Sequence, residues 1–232
     1  MIKGLKGLAR RVVQTVPPLE KLARRSRAYS QEGEDLILAR YFGYQAKGFY
    51  VDVGAHHPLR FSNTQIFYDR GWRGINIDAM PGSMAAFRTH RPRDINIETG
   101  IDIEPGRLEF HVFNEPALNT FDAAIAKQHE GGPYQLREVV PVDVRTLRDV
   151  LDRHLPAGQE IDFLSVDVEG RDVAVLKSND WTRYRPRLVV AEALNSKLAA
   201  ISDDPVALFL KGVGYEPFAK TVNSLLFERS AT

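Results

Sequence analysis

From residue 49 onward, short apolar runs alternate along the chain with stretches of helical periodicity. The runs 49–53 (FYVDV), 74–78 (GINID) and 94–101 (DINIETGI) read as strands, and 108–113 and 139–144 add two more. The runs 161–166 (IDFLSV) and 188–193 (LVVAEA) are nearly all apolar, as strands covered on both faces must be. Helical spacing falls between them, at 30–42, 62–70, 81–90, 145–154, 170–178 and 203–212. This alternation predicts an α/β fold, a parallel sheet with helices on both faces. It breaks at the end. Residues 215–220 and 224–228 (SLLFE) are joined through Thr221-Val222-Asn223, which predicts a closing hairpin with an antiparallel edge. Residues 114–137 are weakly patterned and interrupted by Gly131-Gly132-Pro133; an insertion that long is usually functional or mobile.

The first 28 residues follow a different pattern. Ile2, Leu5, Leu8, Val12 and Val16 recur at helical spacing with basic residues between them, which predicts an amphipathic helix ending near Pro17-Pro18. Residues 1–29 hold eight Lys and Arg against Glu20 alone, although the whole chain carries 31 basic and 30 acidic residues. The apolar residues never form a continuous block, so the segment does not read as a signal peptide. Two readings stand: an anchor on anionic lipid, or a solvated helix packed on the domain or on a second subunit of a homo-oligomer.

The 232 residues suit one core, so 1–28 is taken as an appended segment and 29–232 as a single domain. With no Cys, thiolate catalysis, disulfides and Cys-ligated metals are excluded. A net charge of +1 gives no protein-wide field for nucleic acid, and no nucleic-acid partner is expected. No apolar run approaches the roughly 18 residues that span a bilayer, so the expected location is cytoplasmic, with at most peripheral contact at the inner face of the membrane.

In an open parallel sheet ligands sit beyond the carboxyl ends of the strands. Those ends carry Asp52-Val53-Gly54-Ala55-His56-His57-Pro58, Asp78, Asp102, Asp167-Val168-Glu169-Gly170 and Glu192 to Asn195. One such Asp is as well explained by a turn or cap; acidic or small polar groups at five strand ends of one face are not. A dinucleotide fingerprint needs three glycines, but only Gly54 is present, and Pro58 removes an amide donor. A P-loop is absent too. One close-approach glycine flanked by carboxylates suits a cationic or zwitterionic nucleoside better than a polyphosphate. Asp78 lies 24 residues past Gly54, near the offset of about 20 at which a carboxylate meets ribose hydroxyls. Asp102 is placed to accept from an adenine amino group.

The run YVDVGAHHPLRFSNTQIFYDRGWRGINIDAMP (50–81), followed by IDFLSVDVEGRDVAVLKSNDW (161–181), resembles the FkbM-type S-adenosylmethionine-dependent methyltransferases over about residues 29–194. The D-V-G-A-H-H-P turn, the S-N-T before G-W-R-G and the D-V-E-G appear in order. The resemblance implies the class I methyltransferase fold, Rossmann-like, with a seven-stranded mostly parallel sheet whose last strand is antiparallel. It implies O-methylation, with a glycan or sugar-derived hydroxyl as acceptor. By that likeness the turn Asp52 to Ala55, through Asp52 and Gly54, lines the methionine end of the cofactor, Asp78 takes the ribose and Asp102 the adenine. The matching Y-S-Q-E-G-E-D run brings Gln31 back over the cofactor. The chain departs from the pattern at Asp78-Ala79-Met80-Pro81, where the acid is kept.

Methyl transfer from a sulfonium is an in-line displacement, so the protein must hold the acceptor hydroxyl about 3 Å from the methyl carbon. A hydroxyl also needs a base, worth about 10²–10⁴ in rate, or a metal that acidifies it. Asp167 is expected nearest the reacting centre, assisted by Glu169 or His56. Alternatively Asp167 and Glu169 join another carboxylate to hold Mg²⁺. Asn63 and Thr64 open a helix, where capping and a cradle for the cofactor carboxylate are compatible roles. His57, His129, Glu192 and Asn195 are expected to face the acceptor, with a satisfied structural hydrogen bond as the competing role for the His56-His57 pair. The function these residues suggest is O-methylation of a saccharide, glycolipid or other glycan hydroxyl. A polyketide or other natural-product acceptor, and a non-catalytic cofactor-binding scaffold, are the alternatives.

Overall fold

The computed structural model describes residues 28–130, 133–194 and 196–230. The helix expected within the basic segment, and Asn195, lie outside the described residues. The helices are α1 (Glu34–Phe42), α2 (Gln65–Asp69), α3 (Met84–His90), α4 (Ala123–His129), α5 (Leu147–His154), α6 (Asp172–Lys177) and α7 (Pro205–Gly212). The strands are β1 (Phe49–Val53), β2 (Arg73–Asp78), β3 (Ile95–Glu98), β4 (Gly100–Ile101), β5 (Gly106–Phe113), β6 (Leu136–Arg145), β7 (Phe163–Val166), β8 (Leu188–Glu192), β9 (Tyr215–Lys220) and β10 (Ser224–Arg229).

Among the described residues, seven strands form one sheet in the order β3-β2-β1-β7-β8-β10-β9. All neighbours are parallel except β10, which runs antiparallel to both β8 and β9. This is the class I methyltransferase arrangement. The closing hairpin is present: β9 forms the edge, paired antiparallel with β10, and the antiparallel last strand β10 lies one place inside that edge. Leu225, Leu226 and Phe227 of β10 are fully buried, whereas β9 exposes Glu216, Pro217 and Phe218. A strand covered on both faces takes the interior position, and one carrying Pro and exposed side chains takes the edge.

Period-two alternation splits the core into two layers. Val51, Val53, Ile75, Ile77, Leu164 and Val166 pack on α5, α6 and α7. Tyr50, Phe163 and Val190 face the other way, against Leu38 and Phe42 of α1 and Phe67 of α2. On that second face β1, β2 and β7 also carry Asp52, Asn76 and Ser165, all buried.

The strand expected at 94–101 is two strands in two sheets. β3 pairs with β2, the chain turns at Thr99, whose amide donates to the Asp78 carbonyl, and β4 then joins a second sheet of order β4-β6-β5. Gly100 sits at the crossing, where a Cβ would lie 2.7 Å from both Phe121 and Val144. The bend carries 99–101 across the open end of β2.

Candidate functional site

The carboxyl ends of β1, β2 and β7 open on a cavity of about 460 Å³. Its floor is Val53, Gly54, Ile77, Asp78 and 167–169; Thr99, Gly100 and Ile101 form one wall, and Phe110, Phe121 and Met80 supply apolar sides. Gln31, His56, His57, Arg60 and Phe61 close it from the other side.

Gly54 is at φ +81°, and a Cβ there would lie 1.7 Å from the Asp167 carbonyl oxygen. Its lack of a side chain thus lets the ends of β1 and β7 approach, beyond any need of a ligand. The amides of Gly54 and Ala55 both donate to the Ile77 carbonyl, at 2.9 and 3.0 Å. Ala55 packs against Met84 and Phe87 behind the turn and does not line the cavity. Asp78 does. Its carboxylate accepts from the His56 amide at 2.8 Å and the Met80 amide at 2.9 Å, and burial raises its pKa against those bonds.

Asp52, Asn63 and Thr64 lie behind the wall. The Thr64 hydroxyl donates to Asp52 at 2.9 Å and accepts from Arg91, and Asn63 donates to the Ser165 hydroxyl at 3.1 Å. Burial raises the Asp52 pKa, with Arg91 opposing. The expected cradle for a cofactor carboxylate is not formed, because the Ser62 hydroxyl already accepts from the amides of Thr64 and Gln65. Nor does Asp102 reach the cavity. Its side chain is buried, accepts from the Ile103 amide at 2.6 Å and is ion-paired with Arg171, so it is engaged within the fold. Thr99, Gly100 and Ile101, just before it, line the cavity instead.

Asp167, Glu169 and Glu192 converge, each offering an oxygen within 4.8 Å of the others. Asp167 lies in the cavity lining with its side chain exposed there. Desolvation by the surrounding protein, then Asp52, Glu34 and Glu32, pushes its pKa up to about 7; cavity water reaching the exposed carboxylate moderates the first of these. Burial, then Asp167 and Asp172, pushes Glu169 up to about 8. Glu192, at the end of β8, is pushed up to about 11 by burial and the same carboxylates, and its Oε2 is buried without a hydrogen-bond partner among the described residues. The turn is held from below by Asp172, which accepts from the amides of Val168 and Gly170 at 3.3 Å, and from above by Thr120, whose hydroxyl donates to the Glu169 carbonyl at 2.8 Å. Gly170, at φ +97°, leaves room for Ile125 of α4.

The histidines divide. His56, at φ +52°, lines the cavity, and burial followed by Arg60 and His57 lowers its pKa to about 4. It is neutral at pH 7. His57 also borders the cavity, but its Nδ1 accepts from the amides of Leu59 and Arg60 at 3.1 Å, the structural bond that competed with an acceptor role. His129 does not close over the cavity. It ends α4 and packs its ring edgewise on Phe113 at 5.7 Å. Gln31 lines the cavity as expected, because Ser30 is tied to Asp35 and Glu32 to Asn223 on either side of it.

Sequence reasoning missed the clasp across the cavity mouth. Arg60 donates through both Nη atoms to Glu115 at 2.8 and 2.9 Å, joining the first turn to the insertion beyond β5. It also missed Phe110, Phe121 and the fully buried Arg91. The weak pattern of 114–137 was the one available signal for this wall.

Residues 52–217 match the family model described as the methyltransferase FkbM domain. No curated protein sequence matches the chain significantly. Among solved structures, a candidate RNA methyltransferase from Pyrococcus horikoshii aligns at 9% identity and TM-score 0.45, covering 86% of this chain and 84% of that one. A TehB-like SAM-dependent methyltransferase from Corynebacterium glutamicum aligns at 10% identity and TM-score 0.42, covering 97% and 100%. Neither distant likeness bears on the role of any residue.

Proposed function

The chain belongs to the FkbM methyltransferase family, and on that premise we propose that it is an S-adenosylmethionine-dependent O-methyltransferase acting on a hydroxyl of a saccharide, glycolipid or other glycan. The observation that carries the oxygen acceptor is the pair Asp167 and Glu169 in the lining of the cavity that also presents Asp78, with Glu192 beside them but outside the lining. The donor set fits the cofactor. Asp78 is oriented by two amides and faces the cavity, where it can accept from ribose hydroxyls, while Met80, Phe110 and Phe121 give a nucleoside base apolar flanks. When bound, S-adenosylmethionine supplies an electrophilic methyl group on a positively charged sulfur.

The protein's own part is to hold an acceptor hydroxyl and take its proton. Asp167 and Glu169 bind near neutral pH the number of protons suited to general-base work, because a base is most effective when its pKa lies near the working pH. Glu192 keeps its proton, and its nearness to Asp167 and Glu169 lets it donate within the group. His56 and Gln31 stand at the same cavity as polar partners for the acceptor or the cofactor. A second reading is favoured by the third carboxylate: three oxygens within 4.8 Å are the kind of hard donors that hold Mg²⁺, which would replace the base by acidifying a sugar diol.

The test is incubation of the full chain with isotopically methyl-labelled cofactor and a glycolipid and oligosaccharide panel. Label in a methyl ether that Asp167→Ala abolishes, with cofactor binding kept, is expected. Transfer only to polyketide hydroxyls would move the acceptor class, and cofactor binding without any transfer would favour a scaffold. Full activity after exhaustive dialysis against EDTA removes the metal reading; loss restored by Mg²⁺ favours it.

A further inference from the structure

Among the described residues, three that are not glycine take a positive φ: His56 at +52°, Phe61 at +55° and Glu169 at +50°. All of them line the cavity. Histidine enters this region more readily than most residues, but a bulky side chain there is an outlier that costs free energy. Glu169 serves the acidic group, whereas Phe61 has no comparable use inside the fold. Its ring is 39% exposed and belongs to none of the apolar clusters of the core. Of the large apolar side chains exposed among the described residues, it alone lines the cavity. The Arg60 guanidinium stands 4.2 Å from its centroid, and the His56 ring lies nearly parallel to it, at 6.1 Å and 21°. Both neighbours line the cavity as well, so the three side chains make one stretch of its wall.

The backbone at Phe61 is held from both sides. The Arg60 amide donates to His57 Nδ1 at 3.1 Å, and the Arg60 side chain is clasped by Glu115. The Ser62 amide donates to the Tyr29 carbonyl at 3.1 Å, and the Ser62 hydroxyl accepts from two amides and from Arg91. With both neighbours fixed, the strained residue between them persists. The bond to Tyr29 also sets Phe61 beside the segment that carries Gln31, and then Glu32 and Glu34, whose charges bear on Asp167. The apolar flanks suited to a nucleoside base come from elsewhere, from Met80 after β2 and from Phe110 and Phe121 in and beyond β5.

We propose that Phe61 receives the face of the acceptor's sugar ring, and so selects a pyranose over acceptors of other shape. A pyranose turns a patch of slightly positive C–H bonds to the negative face of an aromatic ring, while its hydroxyls at the edge stay free. Gln31, Asp167 and Glu169 in the same cavity supply donors and acceptors for those hydroxyls. An extended apolar acceptor would leave these polar groups unpaired, a cost the sugar avoids. This assignment deepens the glycan methyltransferase reading and rests on it.

The experiment is a saturation-transfer NMR titration of a panel of methyl pyranosides with the full chain, alone and with S-adenosylhomocysteine, beside methyl transfer from S-adenosylmethionine to the same panel. Phe61→Gly removes the ring and suits the backbone, and Phe61→Asn keeps a side chain that tolerates the same φ. Both should weaken pyranoside binding, and raise the KM of transfer, about tenfold. S-adenosylhomocysteine affinity should be kept, and the thermal midpoint should hold or rise as the strain is relieved. Phe61→Tyr, which keeps the ring, should bind pyranosides as the wild type does. Undiminished pyranoside binding by the Gly and Asn variants would overturn the proposal, as would a wild-type chain that binds no pyranoside. An equal loss of S-adenosylhomocysteine affinity would overturn it by assigning the ring to the cofactor, and a midpoint lowered by both variants by assigning it to the fold. Pyranoside binding that depends on Phe61, without methyl transfer, would keep the ring's role and remove the transferase reading; transfer to a pyranoside indifferent to Phe61 would do the reverse.

Discussion

A fully buried guanidinium needs acceptors on every side, and Arg91 finds them in the turn that walls the cavity. It donates to Thr64 at 2.6 Å, Ser62 at 2.7 Å, Gln65 at 3.1 Å and the Pro58 carbonyl, and through Thr64 it stands behind Asp52. Nothing in the run H-R-P-R-D marks it, because the partners come from residues 26 to 33 positions earlier. Removing a buried charge's partner typically costs about 3–5 kcal/mol. Arg91→Ala is therefore expected to lower the free energy of unfolding by about that amount in urea denaturation, and a loss under about 1 kcal/mol would show the network to be dispensable. Gly54 was legible from its place after the first strand, though the reason differed: the closest neighbour is the Asp167 carbonyl and not a ligand. Gly54→Ala should abolish both cofactor binding and transfer, since β1 and β7 must separate to admit the methyl group; wild-type turnover by that variant would refute the close-approach argument.

Elements were legible where pattern alone fixes them. The runs 49–53, 161–166 and 188–193 are buried strands because their neighbours are other strands and helices on both faces. What the pattern left open was partnership. Two strands joined by three residues must be antiparallel, but which one enters the sheet depends on burial, and SLLFE had the apolar content to take it. The 94–101 run hid its bend at Thr99 because both halves are strand. The insertion beyond β5 was suspected of function but its partner, Arg60, was not, since 55 residues separate Arg60 from Glu115. That clasp is partly exposed, so Glu115→Ala should change stability by less than about 1 kcal/mol. It should nonetheless weaken cofactor binding several-fold, because the wall at 116–119 is no longer held to the first turn. Calorimetric titration beside thermal unfolding checks both; a large stability loss with normal binding would mean the clasp supports the fold instead of the cavity.

At the scale of the molecule, a near-neutral chain concentrates its acids at one rim. Asp167, Glu169, Asp172 and Glu192 all bind protons more tightly folded than unfolded. Their contribution to stability is therefore present at low pH and is lost as pH rises through the folded values. His56, with its folded pKa lowered to about 4, acts oppositely between about 4 and its ordinary value near 6.5. Above that window only the acids act, so the thermal midpoint should fall between pH 7 and 9, while turnover should rise through about pH 7 as the base ionises. A midpoint that climbs over that range would contradict the acid group. The sequence located these acids by strand ends, but their mutual approach needed the fold. The most direct measurement is calorimetric titration of the full chain with S-adenosylmethionine and S-adenosylhomocysteine. Binding of both is expected, with Asp78→Ala weakening it by about 1–3 kcal/mol; the absence of heat for either ligand, or an affinity indifferent to Asp78, would contradict the site.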